Sequence, residues 1–393
     1  MACTFYPKLI PSGIWDITHN DEGGKRNSWL RLCPERGNTL IEIASAFKVA
    51  CHPEKLMAYL RGERIFPATL ELDITSACNK DCRDCPSARG RRSHELSVDS
   101  VRHLFSVLEG QTRGLLLTGG EPTLSPFFPQ VLRLARDFGF VDVAVVTNGA
   151  FLDDRAVANA LLAYASTVRV SLYGWGNGSC EGLYPTLGRL ELLRSQIESE
   201  GSDLRIGVSA LTSAERVDSL ESVLQDTASA GAHWIYFHPI CTRWGVGAPT
   251  QVDQAGVLSR VQEFQNGRNG KIGVFISSDR YVERPLTFHG YHGGHFLLVV
   301  GADGKNYLAP EVKYQPQHVI ADLSHGFDAD FLWEPERLER LNAVASATYP
   351  AIGSRHRGEL YSDFIEGLIE WTQTHPGEDL PIPEQSFAFP HIL

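Results

Sequence analysis

The sequence has 393 residues, a formal net charge of -11 at pH 7, 43% hydrophobic residues and 21% charged residues. A chain of this length can bury a large core, and the composition is ordinary for a globular enzyme. The negative charge disfavours a protein that holds nucleic acid or an anionic membrane mainly by electrostatic attraction. A small molecule or a peptide is the expected binding partner.

The cysteine distribution and the hydropathy pattern indicate the cellular compartment. Eight cysteines lie at irregular positions, unlike the disulfide framework of a small secreted domain. No apolar run approaches about 18 residues, and the first residues lack the basic and apolar regions of a signal peptide. The sequence therefore predicts a cytoplasmic protein with reduced thiols and no membrane-spanning segment.

The first segment of the chain, residues 1–67, is rich in turn-forming residues. Helical periodicity occurs only near Leu40–Ala50 and Pro53–Leu60. We expect this segment to cap the core. The alternative is a module that binds a partner or a substrate.

From Ala68 onward, six predicted strands alternate with five predicted helices. The strands are predicted at 68–75, 114–118, 141–147, 167–173, 204–211 and 234–240. The helices are predicted from Ser97 to Gly110 and near 126–138, 153–165, 186–200 and 215–230. This alternation predicts a parallel sheet with right-handed crossovers, and apolar strands suit burial on both faces. In such α/β folds the site forms in the loops that follow the carboxyl ends of the strands.

The loop after the first of these strands contains three cysteines, Cys78, Cys82 and Cys85, with the spacing C-x3-C-x2-C. The alternating strand Leu70–Ile74, which has one predicted buried face, leads into this loop. No fourth cysteine or histidine is close enough in sequence to complete a tetrahedral zinc site. An iron–sulfur cubane with three cysteine ligands and one open iron fits the spacing better. A zinc knuckle and unrelated cysteines are the alternatives.

Polar or glycine-rich motifs follow the next three strands. The tripeptide Gly119-Gly120-Glu121 follows the second strand, Thr147-Asn148-Gly149 closes the third, and Ser171 lies at the end of the fourth. Two consecutive glycines allow the backbone to approach a ligand closely because no Cβ intervenes. Taken singly, the two glycine-containing motifs favour ordinary turns, and Ser171 is also compatible with an ordinary strand end.

Together these motifs resemble the signature of the radical S-adenosylmethionine (SAM) superfamily over roughly residues 66–241. The resemblance implies an α/β fold, an open partial (β/α)6 TIM-like barrel, and one [4Fe–4S] cluster bound by the three cysteines of the loop. It also implies that SAM chelates the open iron beside a group of strand-end residues, Gly119, Gly120, Glu121, Asn148 and Ser171. One departure is Asp84, which stands where relatives have an aromatic residue that packs on the adenine.

The remaining residues, 242–393, predict a smaller α+β unit. A helix near 253–265 precedes a strand, the turn Ala302-Asp303-Gly304 and a second strand. This pattern resembles the SPASM or twitch subdomain that follows many radical SAM barrels. Because no cysteine lies beyond Cys241, this unit cannot hold an auxiliary cluster alone. We therefore expect three parts: a cap segment at 1–67, a barrel at 68–241 and a degenerate SPASM/twitch-like subdomain at 242–393.

Several further side chains are candidates for the substrate cavity. Cys180, after the fourth strand, and Cys241, after the sixth, are candidate hydrogen-atom donors, with buried structural cysteine as the alternative. Tyr236 and His238 should share one strand face, and Glu311 and Lys313 follow the hairpin. The glycine-interrupted histidines at 289, 292 and 295 suggest substrate contacts or loop packing rather than a rigid metal site.

The resemblance implies an enzyme that reductively cleaves SAM to a 5′-deoxyadenosyl radical and abstracts a hydrogen atom from a small-molecule substrate. A sugar, a nucleoside or an amino-acid-derived metabolite of a specialised pathway is expected, with a reductant such as flavodoxin or ferredoxin. The missing auxiliary cysteines favour a redox-neutral outcome such as epimerisation or rearrangement. The alternatives are a maturase of a ribosomally made peptide and a non-catalytic iron–sulfur or SAM-binding protein.

Overall fold

The structure is a computed structural model. It describes residues 8–9, 15–16, 40–43, 45–82, 85, 87, 93–173, 183–214, 216–239, 254–267, 272–277, 280, 286–324, 328–349, 357–380, 382 and 389–393. The predictions made for Asp84, Cys180 and Cys241 lie outside these residues.

Two sheets contain the strands of the described residues. The strands are β1 Lys8–Leu9, β2 Trp15–Asp16, β3 Leu40–Ile43, β4 Thr69–Asp73, β5 Gly114–Thr118, β6 Asp142–Thr147, β7 Thr167–Ser171, β8 Arg205–Thr212, β9 Trp234–Pro239, β10 Gly273–Ser277, β11 Leu297–Val300, β12 Lys305–Tyr307 and β13 Val319–Asp322. Strands β1 and β2 pair with each other, and the others form one 11-stranded sheet.

The α-helices surround the large sheet. They are α1 Pro53–Leu60, α2 Val98–Leu108, α3 Phe128–Asp137, α4 Arg155–Tyr164, α5 Leu183–Glu200, α6 Leu220–Ser229, α7 Gln254–Gly267, α8 Gly293–Phe296, α9 Pro335–Asn342 and α10 Arg357–Thr374. Short 3-10 helices lie at Ser45–Cys51, Pro122–Leu124, Val217–Ser219, Pro310–Val312, Pro316–His318 and Ala329–Trp333. No helix in the described part of the chain is both long enough and apolar enough to cross a membrane.

The strand order of the large sheet is β13-β12-β11-β4-β5-β6-β7-β8-β9-β10-β3. The six predicted strands are β4 to β9, adjacent, parallel and linked by helices α2 to α6, so the predicted parallel α/β fold is confirmed. The parallel run is longer than predicted. Strand β11 pairs in parallel with β4, β10 pairs with β9, and β3 pairs with β10.

The helical periodicity predicted near Leu40–Ala50 is wrong at its start. Leu40–Ile43 is strand β3, and the following turn is the 3-10 helix Ser45–Cys51. The strand forms because β10 offers a parallel partner, with Phe275 opposite Ile41, and this partner is remote in sequence. Such non-local pairing overrides weak local periodicity. The helix predicted at Pro53–Leu60 is confirmed as α1.

Local capping explains why the predicted helices begin where they do. Ser97 accepts a hydrogen bond of 3.1 Å from the backbone N–H of Ser100 at the start of α2, which confirms its predicted role as N-cap. Gly110 follows that helix with a φ of +71°, a conformation that glycine adopts without a Cβ clash. Asp154 caps α4 in the same way as Ser97 caps α2.

The two faces of the sheet bury different chemistry. Leu70 and Leu72 of β4 pack with the helices in the main apolar core. The alternate residues, Glu71 and Asp73, are also buried, with exposures of 3% and 0%. The sheet therefore encloses a polar interior on the side away from these helices.

The segment Phe389–Leu393 lies at the amino-terminal ends of β4 to β6, on the interior side. The Thr69 hydroxyl donates to the carbonyl of His391 at 2.5 Å, and the His391 N–H donates to Asp142 at 2.9 Å. Ile392 packs with Leu116 and Ala144. This segment closes one end of the polar interior.

The hairpin predicted after 295 is confirmed, since β11 and β12 pair antiparallel with Val299 opposite Tyr307. Strand β13 adds a further antiparallel strand to β12. The division at 67/68 and 241/242 stays a prediction. Strands from all three predicted parts belong to the same sheet.

Candidate active site

The cysteine loop begins where β4 ends, at the carboxyl edge of the parallel strands. Its start is anchored by the Ser76 N–H, which donates to the His94 carbonyl at 2.9 Å, and by the His94 N–H, which donates to the Ser76 hydroxyl at 2.8 Å. Cys78, Cys82 and Cys85 are all partly exposed. The loop therefore presents three thiols at the position where parallel α/β folds build their sites.

The donor set of this loop fits an iron–sulfur cluster. The Lys80 N–H lies 3.4 Å from the Cys78 sulfur, a contact that stabilises a thiolate. A single tetrahedral zinc ion, with Zn–S distances near 2.3 Å, needs sulfurs about 3.8 Å apart. Within the described ranges no three Cys, His, Asp or Glu side chains group closely enough for one ion. A cubane binds each thiolate through a different iron and does not need this close grouping.

The loop Gly119-Gly120-Glu121 packs directly on the backbone of the cysteine loop. The Gly120 N–H donates to the Thr75 carbonyl at 3.0 Å, and the Glu121 N–H donates to the Ala77 carbonyl at 2.8 Å. A Cβ at Gly120 would lie 2.0 Å from the Ala77 oxygen, and one at Gly119 would lie 2.4 Å from the Thr75 oxygen. The two glycines are therefore required for contact between the loops, a reason that the sequence alone does not reveal.

Replacing Gly120 by alanine is expected to lower the free energy of unfolding by about 1–3 kcal/mol and to weaken cluster retention, because backbone atoms must shift to admit the methyl group. Gly188→Ala is the matched control, since no atom outside the neighbouring backbone of α5 lies within 4 Å of the position that its methyl group would take. Chemical denaturation and iron content per chain measure the two effects. Equal stability and iron content in both variants would contradict the packing argument.

Glu121 joins two of the strand-end loops. Its side chain is fully buried and accepts hydrogen bonds from the Thr147 hydroxyl at 2.7 Å, the Asn148 N–H at 2.6 Å and the Thr123 hydroxyl at 2.5 Å. All these donors belong to the protein, so the carboxylate positions neighbouring loops. The predicted contact of Glu121 with SAM would use its backbone.

Asn148 links the loop after β6 to the cysteine loop. Its Nδ2 donates to Asn79 at 2.7 Å and lies 4.0 Å from the Cys78 sulfur. The Lys80 ammonium approaches the Asn148 carbonyl at 3.4 Å. Ser171 lies at the end of β7 in register with Ser209 of β8, and its hydroxyl bonds to no residue that the structure describes. The predicted SAM-bordering residues therefore line one edge, and their contact with SAM stays a prediction.

A charged network fills the interior beneath this edge. The Lys313 ammonium lies 2.6 Å from an Asp73 oxygen and 3.0 Å from a Glu71 oxygen. The Thr118 hydroxyl and the Tyr314 hydroxyl also donate to Asp73, at 2.6 Å and 2.7 Å. Burial lowers the pKa of the Lys313 ammonium, but the two carboxylates outweigh burial and raise it above its ordinary range.

The two residues that follow the hairpin, Glu311 and Lys313, are both buried but have different partners. Lys313 pairs with strand β4, whereas Glu311 bonds the Tyr349 hydroxyl within a separate buried cluster. Tyr314 has a φ of +63°, which is strained for a residue with a side chain. This conformation accompanies its hydrogen bond to Asp73.

Arg357, the first residue of α10, completes the network by donating to the second oxygen of Glu71. Burial raises the pKa of the Glu71 carboxyl, but the nearby Lys313 and Arg357 charges lower it by more, so its net shift is downward. Glu71 is consequently held ionised by two cations.

The histidine run is used for packing in this structure. His292 bonds Tyr59 through Nδ1 at 2.7 Å and Glu366 through Nε2 at 2.7 Å. His295 is buried beside the Tyr59 ring, with 4.9 Å between ring centroids, and burial lowers its pKa to about 3. The described contacts of His292 and His295 are thus those of loop packing, one of the two expected roles.

Tyr236 and His238 of β9 do share a face, as predicted, with 5.1 Å between their ring centroids. The His238 Nε2 lies 3.0 Å from the Ser209 hydroxyl. Sequence reasoning missed Arg169 of β7, which also lies on the interior face because Val168 and Val170 on either side belong to the helix-facing core. The available signal was a charged residue between two valines in a strand expected to be apolar on both faces.

The fold and the site together are those of an α/β protein whose strand-end loops meet at a three-cysteine loop. The Radical SAM superfamily profile matches residues 72–177, the part that contains the cysteine loop, the GGE loop and Ser171. Over these residues the chain is therefore similar to the radical SAM domain. Members of this family use a [4Fe–4S] cluster and SAM, and the three thiols and paired glycines described above suit those groups.

Curated relatives are similar to part of the chain. The chain is 31% identical over 83 residues to 7,8-dihydro-6-hydroxymethylpterin dimethyltransferase of Methanocaldococcus jannaschii, covering 20% of this chain and 16% of that protein. It is 34% identical over 87 residues to GTP 3′,8-cyclase of Chlorobaculum tepidum, covering 21% and 26%. A probable GTP 3′,8-cyclase of Sulfurisphaera tokodaii is 25% identical over 215 residues, covering 52% and 66%. The chain thus spans less than two thirds of each of these relatives.

Solved structures show the same fold at low identity. SuiB of Streptococcus suis bound to S-adenosylmethionine has a TM-score of 0.56 at 14% identity, covering 74% of this chain and 71% of SuiB. The protein anSMEcpe with bound AdoMet has a TM-score of 0.53 at 15% identity, covering 78% and 94%. These matches confirm the partial TIM-like barrel. A SPASM-like character of residues 242–393 stays a prediction.

Proposed function

We propose that this chain is a radical SAM enzyme that cleaves SAM reductively and abstracts a hydrogen atom from a small molecule bound inside the barrel. One observation carries the proposal: the GGE loop and Asn148 pack directly on the three-cysteine loop at the carboxyl edge of β4 to β6. Three motifs remote in sequence therefore meet at one place.

The chain's own residues have separable roles in this proposal. Cys78, Cys82 and Cys85 hold the cluster, and the backbone of Gly119 and Gly120 with Ser171 borders SAM. When bound, these cofactors supply one electron and the radical that takes a hydrogen atom from the substrate. The interior residues bind and orient the substrate, and the segment Phe389–Leu393 limits water entry from the opposite end.

A small-molecule substrate is favoured over a peptide because residues 40–60 contribute to the barrel. Residues 40–60 belong to the barrel itself, since β3 extends the sheet and the helix Ser45–Cys51 packs on α10 through Phe47 and Phe364, 5.2 Å apart. The described residues of this range therefore form no separate module for a leader peptide. The maturase alternative rests on the fold that this chain shares with SuiB, one of whose structures contains the precursor peptide SuiA.

The outcome that we propose for the reaction is redox-neutral, such as an epimerisation or a rearrangement. This proposal rests on the sequence, which has no cysteine after Cys241 to bind an auxiliary cluster that would collect an electron. Cys241 and Cys180 remain the proposed hydrogen-atom donors. A flavodoxin- or ferredoxin-type protein is the proposed reductant.

The test is anaerobic reconstitution with iron and sulfide, followed by dithionite and SAM. We expect about four irons per chain and formation of 5′-deoxyadenosine, with dithionite omitted as the control. A protein that retains the cluster and binds SAM, yet yields no 5′-deoxyadenosine with chemical or flavodoxin reduction, would be a non-catalytic member and would end the enzymatic proposal.

A further inference from the structure

Arg169 is a cation in the interior of the barrel that the proposed function leaves without a role. It lies in the middle of β7, opposite Val146 of β6 and Gly207 of β8. Its side chain is only partly exposed, and its Nε is fully buried without a hydrogen-bond partner. A buried guanidinium N–H without a hydrogen-bond partner destabilises a protein, so a bound group that accepts this hydrogen bond would be stabilising.

The neighbouring carboxylates are already occupied by other cations. Glu71 is bonded by both Lys313 and Arg357, and Asp73 is bonded by Lys313. Arg169 interacts electrostatically with Glu71 and Arg357, but no ion pair joins it to a carboxylate of the described residues. A third buried carboxylate, Glu311, interacts with Arg357 and accepts a hydrogen bond from the Tyr349 hydroxyl.

The pKa of a second cation, Lys48, is lowered by burial and also by nearby positive charges. Lys48, at the closed end of the interior, donates to the Ile392 carbonyl at 2.8 Å. Burial lowers the pKa of its ammonium to about 8, and the positive charges of Arg357 and Arg169 contribute to this shift. Asp142 acts in the opposite direction, but it is engaged by the His391 N–H.

The surroundings of Arg169 supply further polar groups. Two residues along β7, towards the cysteine loop, the Ser171 hydroxyl lies on the same face. Ser209 of β8 and both Tyr236 and His238 of β9 lie on this face as well, and Ser209 and His238 form a hydrogen-bonded pair. The Arg169 guanidinium therefore lies in the barrel interior, and hydroxyl and imidazole groups lie between it and the carboxyl edge of the strands.

We infer that Arg169 binds an oxyanion of the substrate, a phosphate or a carboxylate, and so anchors the substrate beneath the SAM-bordering edge. The guanidinium presents planar N–H donors that match the oxygens of either group. If Arg169 binds the oxyanion at one end of the substrate, the other end extends towards the carboxyl edge, where the cysteine loop lies. This inference rests on the proposed function because it names the substrate class of the same site.

The test is calorimetric titration of the cluster-loaded enzyme with inorganic phosphate and, separately, with acetate, each with and without saturating SAM. We expect saturable binding of at least one anion that survives the addition of SAM, and the stronger of the two identifies the oxyanion. Arg169→Gln is expected to weaken that binding about tenfold or more, equivalent to about 1.4 kcal/mol. Arg169→Lys should retain part of it.

Arg260→Gln is the control, because this exposed residue pairs with Asp218 on the surface, and its anion binding should match the wild type. Circular dichroism melting establishes that each variant is folded. Binding that SAM abolishes would assign Arg169 to the SAM carboxylate and overturn the inference. The absence of saturable binding, or equal binding by Arg169→Gln, would overturn it too.

Measuring 5′-deoxyadenosine in the same wild-type samples separates the two proposals. SAM cleavage without anion binding contradicts only the oxyanion inference. Anion binding without SAM cleavage contradicts only the radical SAM activity.

Discussion

Replacing any one of Cys78, Cys82 or Cys85 by alanine is expected to abolish cluster binding and to reduce 5′-deoxyadenosine formation to background. The physical reason is that the cluster is held by thiolates from this one loop, so a missing ligand exposes a second iron. Iron content, the brown chromophore and product formation after anaerobic reconstitution measure the effect.

Cys51→Ala is the matched control for these variants. Cys51 lies in the 3-10 helix Ser45–Cys51, apart from the cysteine loop, and burial raises the pKa of its thiol to about 11, which disfavours the thiolate. This variant should retain wild-type iron content and activity. Full activity in a Cys82→Ala enzyme would refute the cluster assignment, as would loss of iron in Cys51→Ala.

Replacing Lys313 by methionine is expected to lower the free energy of unfolding by about 3–5 kcal/mol, because Glu71 and Asp73 would lose a shared cation while remaining buried. Urea denaturation measures the change. Arg61→Met is the control, since its pair with Glu63 is more than half exposed and should contribute about 1 kcal/mol at most. Asp73→Asn combined with Lys313→Met should recover part of the loss.

The stability difference between wild type and Lys313→Met is also expected to depend on pH in a definite direction. The pKa of Glu71 in the folded protein lies below its ordinary value of 4.5, so its ion pairs stabilise the fold above that pH. This contribution is lost as the pH falls through the folded pKa. The stability difference between wild type and Lys313→Met should therefore shrink below about pH 4.5. A difference that is absent at pH 7, or that grows in acid, would contradict the network.

The sequence predicted the elements whose signals are local. Strand β5 has the predicted bounds 114–118, and α2 begins after Ser97 as predicted, because alternation, capping and glycine placement act within a few residues. Strand β3 was missed because its pairing with β10 joins distant parts of the chain. Contacts of this kind leave little trace in short-range periodicity.

The same contrast between local sequence signals and non-local contacts applies to the site. Spacing in the sequence indicates the cysteines and the GGE loop, but the requirement for glycine at position 120 depends on the fold, since its neighbour is the Ala77 carbonyl. The alternation around Glu71 and Asp73 predicted a strand, but their burial depends on Lys313, which is 240 residues from Asp73 in sequence. Arg169 was likewise invisible as a site residue until the interior face was defined.

The parallel pairing of β11 with β4 affects how the chain can be divided. Strand β4 carries the start of the cysteine loop, and β11 covers the side of it that β5 does not. Excising 68–241 would turn β4 into a bare edge with unpaired N–H and C=O groups, a template for intermolecular association. It would also remove Lys313 from Asp73. The barrel and the hairpin region therefore share one sheet, and a cut at the boundary predicted from sequence would separate strands that pair with each other.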